Sequence, residues 1–151
     1  MQVVIDTQTV LDWQFFANPI CQAWPLPGTT SDGWTWMATA AMRAELQAVL
    51  GRPWPSRWQA SPMAVLDFFD AHARLCPAPG PFGPAQNLRC TDPDDQKFID
   101  LALALAPCQL ITRDRALLKL ARRARDRQVL ILQPQAWRAP QPPAGPPHAT
   151  A

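Results

Sequence analysis

Glycine is scarce, histidine scarcer and tyrosine absent: 151 residues contain six, two and none. The glycines form neither G-x-G-x-x-G nor a Walker-type run, which excludes a Gly-rich cradle for phosphates. His72 and His148 alone cannot build a His-rich zinc site or a conventional triad. Cys21, Cys76, Cys90 and Cys108 include no C-x-x-C pair, so zinc and thioredoxin-like chemistry lack their spacing. They are expected as reduced, partly buried thiols. Long apolar runs are missing as well. The longest charge-free stretch, Trp13 to Ser31, carries three prolines, a glycine, two glutamines and an asparagine and would not span a bilayer. Met1 to Asp6 has no basic n-region, so no signal peptide and no membrane association are expected. The expected location is cytoplasmic.

Charge of either sign is also modest. Fourteen Lys+Arg against twelve Asp+Glu leave +2, too little to announce nucleic acid by net charge. The hydrophobic share of 48% and charged share of 17% belong to a folded chain, not a disordered one. About 150 residues bury roughly 70% of their unfolded surface, enough for a core without staples.

Proline is abundant, and it punctuates the chain. Fifteen of the eighteen prolines cluster at Pro19–Pro27, Pro53–Pro62, Pro77–Pro84 and Pro140–Pro147, and none fall in Gly28–Arg52 or Cys108–Gln133. Proline removes an N–H and disfavours helix just before it, so the clusters mark loops. Strands are predicted at Gln2–Ile5, Trp34–Met37, Gln109–Thr112 and Gln128–Leu132. Helices are predicted over Thr7–Phe16, from Thr39 to Leu50, from Ser61-Pro62 to Leu75, from Asp92-Pro93 to Ala106, and over Asp114–Arg125. No internal repeat is visible. Alternation of this kind implies a three-layer α/β/α sandwich with a mostly parallel central sheet. Residues 1–138 are expected to form the domain and 139–151, with five prolines and no charge, an extended tail.

In open parallel sheets ligands bind beyond the carboxyl ends of the strands. Asp6 ends the first strand, and Asp114 stands two residues past Gln109–Thr112. Asp92, Asp94 and Asp95 open a helix, and Glu45 lies mid-helix among apolar neighbours. Singly, each aspartate reads as a helix cap, and Glu45 as a partner for Arg43 or Arg52. Together they would converge on one pocket, where like charges raise one another's pKa unless a cation intervenes. An all-oxygen cluster selects Mg²⁺ or Mn²⁺, and metal-assisted phosphodiester hydrolysis is the reaction class it suggests.

The segments VVIDTQTVL, AELQAVLGRP, CTDPDDQKFIDLALA and LITRDRALL together resemble a PIN domain, most nearly the bacterial toxins of type II toxin–antitoxin pairs. The similarity covers Met1 to Trp137, with Pro134–Trp137 matching a closing short helix; 18–33 and 77–88 match weakly. The resemblance implies a Rossmann-like fold and a Mg²⁺/Mn²⁺-dependent endoribonuclease acting on RNA, with an antitoxin protein and a homodimer as partners. It makes Asp6, Glu45, Asp95 and Asp114 the catalytic acids, with Asp6, Asp95 and Asp114 holding the metal. Thr112 takes the family's hydroxyl position. Gln8 stands where the family commonly has asparagine, which implies tuned or weakened activity. The alternative is a binding or scaffold module on the same fold. A phosphatase would want an acid at Gln8, and a phospho-receiver a lysine late in the chain, so both fit poorly.

Arg113 to Arg127 holds seven basic and two acidic residues. Arg113, Arg115, Lys119, Arg122 and Arg123 are candidate RNA contacts on an electrostatic rail; a solvated helix face explains them equally well. Trp34 with Trp36, and Trp54 with Trp58, are spaced to stack bases, although such pairs are more often core. Met63, Leu66, Phe68 and Phe69 suggest a face packed on a helix of this chain or of a second copy. His72 reads as a packed or surface residue, and Lys97 as a partner of Asp94, of Asp100 or of a phosphate.

Overall fold

Five strands, β1 (Gln2–Ile5), β2 (Thr35–Ala38), β3 (Ala73–Leu75), β4 (Cys108–Ile111) and β5 (Val129–Leu132), lie in one parallel sheet ordered β3-β2-β1-β4-β5. The structure is a computed structural model that describes residues 1–28, 33–58, 60–83 and 87–140. The proline-rich stretch from Gln141, with His148, lies outside the described residues. Central β1 pairs Val3 with Trp36 on one side and Gln109 on the other, and Ile5 with Ile111. Val3 and Val4 are both fully buried, although successive strand residues face opposite ways. Both faces of the sheet are therefore covered, as the three-layer expectation requires.

Helices α1 (Thr7–Gln14), α2 (Pro19–Gln22), α3 (Ala40–Leu50), α4 (Pro62–His72), α5 (Gln96–Ala104), α6 (Arg115–Leu118) and α7 (Ala121–Arg125) connect the strands. Asp6, Asn18, Thr39, Ser61 and Asp114 accept at the first free N–H groups of α1, α2, α3, α4 and α6. Helix α5 turns Phe98, Ile99, Leu101 and Ala102 inward and packs under β1 and β4. The chain winds from β1 through β2 to β3, then returns past β1 to β4 and β5. That reversal puts the switch point, where such folds open a ligand crevice, between the ends of β1 and β4.

Several boundaries differ from the sequence expectation. The helix expected to reach Leu75 stops at His72, because Ala73 turns extended (φ −82°, ψ 138°) and Ala73–Leu75 becomes edge strand β3. Three residues without a β-branched side chain carry no strand signal. Helix α2 sits in a proline cluster, where Asn18-Pro19 repeats the cap-plus-proline signature of Ser61-Pro62. The helix expected over Asp114–Arg125 is two short ones, parted at Lys119–Leu120. Asp92 caps a 3₁₀ turn, Pro93–Asp95, ahead of α5. Gln128 is left-handed (φ 61°), so β5 starts one residue later. Pro134–Trp137 forms a hydrogen-bonded turn instead of a helix.

Tryptophan builds the core beside α1. Trp13 contacts Trp24, Trp34, Trp36 and Phe68 at centroid separations of 5.4, 5.9, 5.7 and 5.1 Å. Trp34 and Trp36 are 1% exposed, which rules out base stacking for that pair. Trp54 and Trp58 are half-buried against Phe16. In α4, Leu66 and Phe69 are buried and Phe68 packs on Trp13, so this face is covered within the chain, while Met63 is exposed. His72 lies 4.4 Å from the Phe68 ring. The four cysteines are free; burial pushes the Cys21 thiol to about 11 and the Cys108 thiol to about 12. Among the described residues no helix is long and apolar enough to cross a membrane.

Trp137 closes this core from the far end of the chain. It is 2% exposed, lies 5.0 Å from both Trp24 and Trp34, and donates Nε1 to Gln109 Oε1 at 2.8 Å. Trp137→Ala is expected to cost about 3–5 kcal/mol in urea unfolding. A loss under about 1 kcal/mol would show that the turn is a dispensable appendage.

Candidate active site

Asp6 follows β1, and Thr112 follows β4 on the neighbouring strand. Thr112 is fully buried; its Oγ1 donates to Asp6 Oδ2 and accepts from the Asp114 N–H at 2.9 Å. One hydroxyl thus ties together the first and last candidate acids, 108 positions apart in sequence. The capping role and the site role coexist. Asp6 Oδ1 accepts from Thr9 N at 2.9 Å, and Asp114 Oδ1 accepts from Ala116 N at 2.8 Å and Leu117 N at 3.3 Å.

All four candidate acids, Asp6, Glu45, Asp95 and Asp114, line one cleft of about 520 Å³. Thr7, Gln8, Leu11, Val49, Arg52, Phe98 and Arg113 complete its wall. The acids are not equivalent. Asp95 lies against Asp114, and its buried Oδ2 lacks a hydrogen-bond partner. Glu45 is fully engaged: Oε2 accepts from Thr7 Oγ1 at 2.5 Å and Oε1 stands 3.3 Å from Lys97 Nζ. Lys97 also donates to the Asp94 carbonyl oxygen. Its carboxylate partner is Glu45, and neither Asp94 nor Asp100. Arg43, a sequence candidate for Glu45, pairs with Asp70 through two hydrogen bonds of 2.7 and 2.8 Å.

The electrostatics are those of an unpaid charge. Burial, followed by the charges of Asp114 and Asp92, pushes Asp95 up to about 7. Burial also holds Asp6 above the ordinary carboxylate value, against the hydrogen bonds from Thr112 and Thr9. Groups raised in this way accept either a proton or a cation. Oxygen donors only, with one buried oxygen unpartnered, fit a hard divalent ion in chemistry and charge. Among the described residues, no three His, Cys, Asp or Glu groups stand as a finished cage.

A second network edges the cleft. Gln8 Nε2 donates to Asp12 Oδ1 at 3.1 Å, and Asp12 Oδ2 lies 2.5 Å from Arg113 Nη2, an ion pair outside hydrogen-bond alignment. The amide of Gln8 therefore reaches Asp12, one helical turn on, and not Asp6. Asp12 is 4% exposed, and its place in the apolar run Val10–Trp13 was the signal that could have marked it. Arg52 and Thr7 were likewise not singled out for the cleft. Of the basic candidates only Arg113 lines it; Arg115, Lys119, Arg122 and Arg123 are exposed on and beside α6 and α7.

The family model described as PIN domain matches residues 2–116, from β1 through Asp114 to the start of α6. No curated protein matches the chain.

A carboxyl raised by folding binds protons more tightly folded than unfolded, so its contribution is full below about pH 4 and lost as pH rises through about 7. In EDTA, Asp95→Asn is expected to melt above the unaltered chain at pH 8, by about 2–4 °C. By pH 5 the gap should close. A variant that melts lower at pH 8 would contradict the assigned strain.

Proposed function

Since the chain belongs to the PIN-domain family, we propose that it is a Mg²⁺- or Mn²⁺-dependent endoribonuclease. Members of that family are generally nucleases that use divalent metals. The observation that carries the proposal is the single cleft lined by Asp6, Glu45, Asp95 and Asp114 at the switch point of the sheet. When held by Asp6, Asp95 and Asp114, the ion supplies charge neutralisation at the scissile phosphate and a more acidic water. The chain itself does the positioning. Thr112 keeps Asp6 and Asp114 in register, and Asp12 holds Arg113 at the wall, where with Arg52 it attracts phosphate. The exposed Arg115, Lys119, Arg122 and Arg123 extend that attraction along the RNA. In this proposal the protein works in the cytoplasm as the toxin of a toxin–antitoxin pair, as a homodimer restrained by its antitoxin.

A second reading, a binding module with weakened chemistry, draws on two observations. Gln8 is engaged with Asp12, and Glu45 is engaged with Lys97 and Thr7. One experiment separates the two. Single-stranded RNA incubated with the protein and Mn²⁺ should be cleaved, EDTA should stop cleavage, and Asp114→Asn should slow it by about 10²–10³-fold. RNA bound but left intact by the unaltered chain favours the module.

The rail has its own check. With two phosphate contacts gone, Arg122→Ala/Arg123→Ala should flatten the slope of log affinity against log salt by about 1.4. An unchanged slope assigns those arginines to solvent alone.

A further inference from the structure

The four acids of the cleft fall into two electrostatic halves, and the division bears on how many ions the site takes. Asp6, Asp95 and Asp114 share a strain of like charge: Asp95 is raised by burial and by both neighbours, and its Oδ2 is buried without a partner. Glu45 already has its cation. Lys97 Nζ lies 3.3 Å from Glu45 Oε1, with side-chain exposures of 26% and 29%, and Thr7 Oγ1 occupies Oε2.

Lys97 is also anchored. Its ammonium donates to the Asp94 carbonyl oxygen and lies 4.9 Å from the centroid of the Phe98 ring. The ammonium hydrogen-bonds a carbonyl, ion-pairs with a carboxylate and faces a ring. The ammonium is thus placed by partners on α3, on α5 and on the turn before it. A divalent ion bound at Glu45 would have to displace that ammonium or sit within a few ångströms of it, and in a partly desolvated cleft the repulsion is severe.

We propose that Lys97 stands as the built-in counter-cation of Glu45, in the place of a second metal ion. The site then takes one divalent ion, at Asp6, Asp95 and Asp114, and Glu45 serves as the counter-charge that positions Lys97. The inference rests on the metal-dependent nuclease reading and goes further, by fixing the number of ions and giving Glu45 a role other than metal ligand. Lys97 is a positioning residue: it neutralises Glu45 and so withholds that carboxylate from a second ion.

Calorimetric titration of the full chain with Mn²⁺ at pH 8 tests this without using activity. The unaltered protein should bind one ion, and so should Glu45→Gln and Lys97→Arg. Lys97→Met removes the charge at similar length and should admit a second, weaker ion, which Glu45→Gln in the same chain should abolish. Asp114→Asn should weaken the single site by tenfold or more. Two ions in the unaltered chain, or one in Lys97→Met, would overturn the role of Lys97 while leaving the nuclease reading intact. No ion in the unaltered chain, with no RNA cleavage, would overturn both. Retention of the first, tighter ion by Lys97→Met is the control against misfolding of that variant.

Discussion

The Thr112 hydroxyl, buried between the Asp6 carboxylate and the Asp114 backbone N–H, is the interaction on which the site depends. It donates to Asp6 and accepts from the Asp114 backbone, so the ends of β1 and β4 hold a common register. A methyl there would leave a nearly dry Asp6 oxygen without its donor, a larger loss than the modest net value of a typical hydrogen bond. Because Asp6 and Asp114 also cap α1 and α6, the same contact sets where both helices start.

The site is costly and the rest of the molecule offsets it. Helix α1 shows the division of labour: Thr7, Gln8 and Leu11 face the cleft, while Trp13 joins the aromatic core with Trp24, Trp34 and Trp36. Aromatic pairs contribute about 0.5–1.5 kcal/mol each beyond the area they bury, and Trp13 makes four such contacts. Rigid packing on one side of the helix thus lets raised carboxyls persist on the other. This is a common arrangement where function and stability compete.

Much of this was legible in the sequence. Apolar runs ending at Asp6 and before Asp114 gave β1 and β4, and the rule on strand ends gave the cleft. The misses have physical causes. Strand β3 exists because Ala73–Leu75 pairs with β2, a tertiary contact that a helix-like pattern conceals. The partner of Lys97 is Glu45, 52 positions away, and spacing along one helix pointed instead to Asp94 or Asp100. Asp12 stood out only as a charge inside an apolar run, and its partner, Arg113, arrives from beyond β4. Trp34 and Trp36 carried both a stacking and a core meaning, and only burial separates the two.

The central claim is that acids distant in sequence hold one hard cation at the ends of β1 and β4. Crystals grown with Mn²⁺ at pH 8 and measured at a wavelength where manganese scatters anomalously test it directly. The account predicts one anomalous peak within coordination distance of carboxylate oxygens from Asp6, Asp95 and Asp114. A cleft without a peak at saturating Mn²⁺, or a peak held by other residues, would contradict it.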